Sequence, residues 1–216
     1  MSLGLEASGL YKTYNGKPVL ADCSFTLQEG RTYALMGPNG CGKSTLFRIC
    51  ALIEESDQGE VRYLSGDSVL QPDVSLRRML TLVLPRIGVF NTSVFRNVAY
   101  GLRVRGVARA ETAVRVEKAL EFVGLTHKRD QNGLTLSSGE TQRLGIARAV
   151  VLEPAVLFLD EPTAFVDEKS KAQIEEIIQR IRRDGNSLVV ITTHNRVQAE
   201  RLSDAVLQMS EGKIMA

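Results

Sequence analysis

The segment Gly37-Pro38-Asn39-Gly40-Cys41-Gly42-Lys43-Ser44-Thr45 constrains this chain more than any other. It follows an uninterrupted apolar run, Tyr33–Met36, and precedes Leu46-Phe47, so it reads as a tight loop between a buried strand and a helix. That context, with the pattern G-x-x-x-x-G-K-[ST], defines a phosphate-binding loop. Its glycines let successive backbone N–H groups converge on phosphate oxygens, and a helix starting near Lys43 adds its positive end. Lys43 is expected to bridge the β- and γ-phosphates and the Ser44 hydroxyl to hold Mg²⁺. Gly37, Asn39, Gly40, Cys41, Gly42 and Thr45 complete the cradle. A Gly-rich turn without a ligand would leave the Lys-Ser pair unexplained.

Two more short runs, Val156–Leu159 and Leu188–Thr192, are free of charge and end at Asp or His. Strands buried on both faces of a parallel sheet read this way, with ligand groups at their carboxyl ends. Leu144, Ala147 and Val151 keep helical spacing, as do Ile174, Ile177, Ile178 and Ile181. The first 30 residues instead alternate around Asn15-Gly16, which predicts an antiparallel meander. Helical periodicity dominates from Arg86 to Glu153, broken around Asn132-Gly133. The expectation is an α/β fold: a P-loop NTPase core, residues 1–85 and 152–216, with an N-terminal antiparallel β subdomain. A helical subdomain, residues 86–151, is inserted, and the whole forms one domain, 1–216.

At 216 residues the chain can bury a sufficient core without staples. Lys and Arg number 27 against 25 Asp and Glu, a balance far from the basic excess of a dedicated nucleic-acid binder. Cys23, Cys41 and Cys50 form no CxxC, and one is left over under any pairing. They read as reduced, small apolar fillers. With neither a signal peptide nor 18 consecutive apolar residues, the expected location is cytoplasmic or docked on the cytoplasmic side of a membrane.

In Val156-Leu157-Phe158-Leu159-Asp160-Glu161-Pro162, Asp160 ends a buried strand, where a carboxylate orients Mg²⁺. Glu161 points differently and is the candidate general base. Leu136-Ser137-Ser138-Gly139-Glu140-Thr141-Gln142-Arg143 opens a helix with a capping box, Ser137 with Glu140 three residues on. A helix N-terminus with a hydroxyl is also an anion site.

This segment resembles the LSGGQ signature of ABC ATPases. The order of phosphate loop, signature, Val-Leu-Phe-Leu-Asp-Glu-Pro and His194 is that family's order across nearly the whole chain. The resemblance implies a head-to-tail homodimer sandwiching two ATP molecules, in which Ser137, Ser138 and Gly139 of one copy meet the γ-phosphate held by the other. It further implies that Tyr14 stacks on adenine, His194 contacts the γ-phosphate and Asp167 acts across the dimer. His127 matches nothing and is expected at the surface.

Three positions depart from the family pattern. Ser138 replaces glycine but keeps its N–H, and Phe165 replaces a small residue. Pro85 stands where the family has a glutamine that touches Mg²⁺ and senses the membrane partner; proline has neither a side-chain ligand nor an N–H. Gln71 is too far upstream to substitute.

The resemblance implies an ATPase subunit of a multi-chain transporter, peripheral on the inner face of the cell membrane. Its partners would be polytopic permease subunits and an extracytoplasmic solute-binding protein, with no nucleic acid. Asn91–Val94, Asn97–Leu102 and Thr193–Asn195 look most like tungstate-type oxyanion importers. The alternatives are a non-transport ABC ATPase, or another P-loop kinase or GTPase; no Asn-Lys-x-Asp guanine-reading motif is present.

Overall fold

A computed structural model describes residues 3–215. The chain opens with a hairpin, β1 (Gly4–Tyr14) and β2 (Lys17–Leu27), paired antiparallel with Tyr14 opposite Lys17. Asn15 and Gly16 between them both have positive φ, 49° and 77°. That geometry matches the twist of the strands, which is why Asn-Gly closes two-residue hairpins. The expected meander is completed by two strands the sequence reading did not name, β4 (Gln58–Ser65) and β5 (Ser68–Leu70), in the order β2-β1-β4-β5.

The second sheet contains the three apolar runs as β3 (Thr32–Met36), β7 (Val156–Leu159) and β8 (Leu188–Thr192). β6 (Leu80–Val83), β9 (Ala205–Ser210) and β10 (Lys213–Met215) extend it to the order β10-β9-β3-β8-β7-β6. Every residue of β3, β7 and β8 is buried, as expected for central strands of a parallel sheet. The helix α1 (Lys43–Cys50) puts Leu46, Phe47, Ile49 and Cys50 into one core with Leu5, Leu10, Leu20 and Leu27 of the first sheet and Leu35, Phe158 and Val190 of the second. Phe47 and Phe158 meet with ring centroids 5.2 Å apart.

The remaining helices are α2 (Val74–Met79), α3 (Val94–Val104), α4 (Arg109–Phe122), α5 (Ser138–Val150), α6 (Glu168–Asp184) and α7 (Arg196–Leu202). The irregular patch around Asn132-Gly133 is a 3₁₀ turn, Gly133–Thr135, capped by the Asn132 side chain. Exposed His127 sits in another 3₁₀ turn, Thr126–Lys128. The chain divides into two compact units. One holds the residues up to Leu82, Ala155–Glu161 and Arg180 onward; the other holds Val83–Pro154 and Pro162–Gln179. Cys23, Cys41 and Cys50 are free and buried. Burial pushes the Cys23 thiol up to about 11 and that of Cys50 higher still, so these two act as apolar fillers.

Candidate functional site

Parallel pairing assembles the first half of the site. Leu35 lies opposite Thr192 and Leu159 opposite Ile191, so Gly37, Asp160 and Thr193-His194 leave adjacent strands at one edge of the sheet. That edge is where doubly wound sheets bind ligands.

The loop's glycines are required for different reasons. A Cβ on Gly37 would overlap the Met209 carbonyl, so that position is fixed by close backbone approach. Gly42, the N-cap of α1, combines φ 108° with the Val19 carbonyl 2.7 Å from where a Cβ would stand. Lys43 is 6% exposed, and its Nζ donates to the carbonyls of Gly37, at 2.8 Å, and Pro38, at 3.0 Å. Among the described residues no carboxylate pairs with it. A buried ammonium satisfied only by carbonyls lacks a counter-charge, a setting that favours an anion nearby.

Asp160 is 2% exposed, and its Oδ1 accepts from Thr192 Oγ1 at 2.7 Å. Thr192 Oγ1 in turn accepts from the Glu161 N–H at 2.7 Å. One hydroxyl therefore fixes both acidic residues, leaving Asp160 Oδ2 uncommitted. Glu161 has φ 45°, a left-handed conformation that turns the chain sharply after β7. Sequence reading missed Thr192. Its signal was a lone hydroxyl ending the run Leu188–Thr192, buried beside two acidic residues. Thr192→Val is expected to lower unfolding free energy by about 2 kcal/mol, because a buried carboxylate loses its donor and an amide its acceptor. It should also cut turnover. Urea denaturation and a phosphate-release assay check both, and unchanged stability would remove this hydroxyl from its anchoring role.

His194 is exposed, directly before the Asn195 cap of α7. Thr193 Oγ1, 2.5 Å from Gln198 Oε1, and the Asn195 side chain, accepting from Gln198 N, stiffen that turn. Tyr14 ends β1 at 37% exposure, so it is not a core tyrosine. Its hydroxyl donates to Glu54 Oε1, and Lys12 Nζ stands 5.6 Å from its ring centroid. Burial and then the Glu54 carboxylate push the phenol above its ordinary range, while the Thr45 hydroxyl opposes them. That contact sets the ring beside the start of α1.

The second unit holds Ser137, Ser138, Gly139 and Asp167. The capping box at α5 forms: Ser137 Oγ accepts from Glu140 N at 3.3 Å, and Glu140 Oε2 from Ser137 N at 2.9 Å. Ser138 is exposed and Gly139 buried. A Cβ on Gly139 would overlap the side chain of Ser170, so only glycine lets α5 and the start of α6 approach this closely. Ser170 N and Oγ both donate to the Asp167 carboxylate, at 2.9 Å each, and hold its pKa below the usual carboxylate range. Ser170, unnoticed in the sequence, thus touches both the signature glycine and Asp167.

Phe165 has φ 63°, a conformation that costs a bulky residue about 1–2 kcal/mol, and is 71% exposed. Pro85 lies between β6 and α3.

These features define a P-loop nucleotide-binding protein with a helical unit whose α5 opens on a capping box. Residues 20–164 match the ABC transporter family. The chain is 34% identical over 210 residues to the tungstate uptake system ATP-binding protein TupC of Peptoclostridium acidaminophilum, covering 97% of this chain and 96% of that one. It is 40% identical over 228 residues to a phosphate import ATP-binding protein PstB 1 of Yersinia pestis, covering 99% and 82%. The solved structure of cbiO1 from Clostridium perfringens, part of the ABC transporter complex cbiONQ, superposes with a TM-score of 0.86 at 29% identity, covering 98% and 86%. The chain belongs to the ABC transporter family and is one of its ATP-binding subunits, an ATPase. Among the described residues no helix is long and apolar enough to cross a membrane.

Proposed function

We propose that this chain is the ATP-hydrolysing subunit of a multi-chain importer for a tetrahedral oxyanion such as tungstate. The observation that carries the phosphate site is Lys43, buried in the Gly37–Ser44 loop with only carbonyl partners. The likeness to tungstate and phosphate uptake subunits over nearly the whole chain supports the oxyanion class.

In this reading Gly37, Asn39, Gly40, Cys41, Gly42, Ser44 and Thr45 hold the phosphates, and Tyr14 stacks on adenine. Lys43 neutralises the β- and γ-phosphates. Glu161 accepts a proton from the attacking water, and His194 contacts the γ-phosphate. Ser44 and the free Oδ2 of Asp160 are hard oxygen donors that fit Mg²⁺. Among the described residues no group of three acidic, His or Cys side chains could hold a metal; phosphate oxygens and water would supply the remaining ligands. When bound, Mg²⁺ supplies charge neutralisation at those phosphates.

A second copy completes the site: Ser137, Ser138, Gly139 and Asp167 act in trans in a homodimer with ATP at the interface. The division of residues supports this, since the loop, Tyr14, Asp160, Glu161 and His194 lie in one unit and the four trans residues in the other. The remaining partners are polytopic permease subunits and an extracytoplasmic solute-binding protein, which places the chain on the cytoplasmic face of the membrane. A cleft of about 700 Å³ between α3 and α4 supports a permease contact. It combines Phe95, Ala99 and Val107 with Arg96, Arg103 and Arg109, which make no ion pair among the described residues. An acidic, amphipathic permease segment fits that lining. Reversing the three arginines to glutamate is expected to abolish copurification with the permease and to leave ATP hydrolysis by the free subunit unchanged. Retained copurification would move the contact elsewhere. Uptake of labelled tungstate and phosphate by the assembled system, with and without this chain, tests the importer and its solute.

A further inference from the structure

Pro85 and Phe165 both depart from the family pattern, and the residue following the first touches the second. The Arg86 guanidinium lies over the Phe165 ring, 5.5 Å from its centroid. Arg86 makes no ion pair among the described residues. From Val74 to Ala110 the chain holds seven arginines and no Asp or Glu, so no carboxylate nearby in sequence competes for it. Pro85 fixes its own φ and holds the preceding residue extended, which sets where Arg86 leaves the backbone.

Phe165 sits in the loop from Glu161 to Asp167. That loop is pinned at its start by Thr192, through the Glu161 N–H, and at its end by Ser170, through the Asp167 carboxylate. Between these anchors Phe165 holds a left-handed conformation with most of its ring exposed. Burial does little to stabilise a residue placed this way. A strained residue persists where its surroundings over-determine it, and the cation over its ring is such a determinant.

We infer that Arg86 is a positioning residue for ATP hydrolysis: stacked on Phe165, it fixes the loop that carries Glu161 and Asp167 to the connector after β6. The inference rests on the roles proposed above for those two acidic residues. Where the family pattern has a glutamine reaching a metal, this chain joins connector and loop directly, by a contact that requires no ion.

The contact can be read without activity. The chain has no tryptophan, so Phe165→Trp provides a single indole whose emission can be excited apart from the five tyrosines. In nucleotide-free protein, adding Arg86→Ala to Phe165→Trp is expected to raise acrylamide quenching by up to about 1.4-fold, the ratio of full exposure to the present 71%, because the guanidinium no longer shields one face of the ring. Unchanged quenching would overturn the contact whatever the protein's enzymology.

A double-mutant cycle tests the coupling. Arg86→Ala and Phe165→Ala are each expected to lower kcat about two- to fivefold, the size of an exposed cation–π contact, with KM for ATP unmoved. The double substitution should be no slower than either single one, and Phe165→Tyr, which keeps the ring, should retain the wild-type rate. Multiplying effects, or a shifted KM, would overturn the positioning role. Absence of hydrolysis in the wild-type chain would instead fail the underlying assignment, which the quenching arm does not depend on.

Discussion

Glu161→Gln is expected to leave ATP binding intact and to lower turnover by roughly 10²–10⁴-fold, the range for losing a general base. Glutamine keeps the length and the backbone N–H that Thr192 holds, so the turn at φ 45° has no new cause to change. What disappears is the acceptor for the water's proton. Because the ATP sandwich opens only after hydrolysis, the substituted chain should also accumulate as an ATP-bound dimer. Calorimetry for ATP affinity, phosphate release for turnover and light scattering for mass check the three parts. Near-normal turnover would take Glu161 out of the role.

Ser137→Arg should abolish that ATP-dependent dimer while leaving ATP binding to the phosphate loop unchanged. Its bulk and charge would occupy the place reserved for the partner copy's γ-phosphate. The substitution also removes the α5 cap, a loss of about 1 kcal/mol. Ser137→Ala serves as the control, since it loses the same cap without adding bulk. If both variants fail to dimerise, the cap is responsible rather than the steric block. If Ser137→Arg loses ATP binding as a monomer, Ser137 acts within its own chain and the trans assignment falls.

Much of the framework was legible because it rests on local chemistry. Tyr33–Met36, Val156–Leu159 and Leu188–Thr192 are apolar runs that only doubly buried strands accommodate, and all three lie within central strands. Asn15-Gly16 specifies its hairpin through positive φ at two successive residues. Ser137 and Glu140 specify the start of α5 through reciprocal hydrogen bonds three residues apart. The family could be read from the sequence for a similar reason: each motif is a short, contiguous solution to holding phosphate.

β4, β5, β9 and β10 were not legible. Their burial is mixed and they carry little apolar periodicity; β5 and β10 are three-residue strands that pair with their neighbours β4 and β9, which in turn reach the sheets through the distant β1 and β3. Phe165 shows the same division within the site: the sequence identified it as a departure, but the cation over its ring comes from Arg86, far away in the chain.

By itself, then, the sequence determined the phosphate loop, the strand-end acids, the capped signature helix and the family, since all of these are written in neighbouring residues. The tertiary structure decided which distant groups hold them in place. Thr192 lies across a strand pairing from Asp160, Ser170 fills the space that Gly139 leaves, and Arg86 covers a ring far along the chain. Such contacts depend on sheet register and on the close approach of two helices, and neither leaves a periodic or contiguous mark in a single sequence.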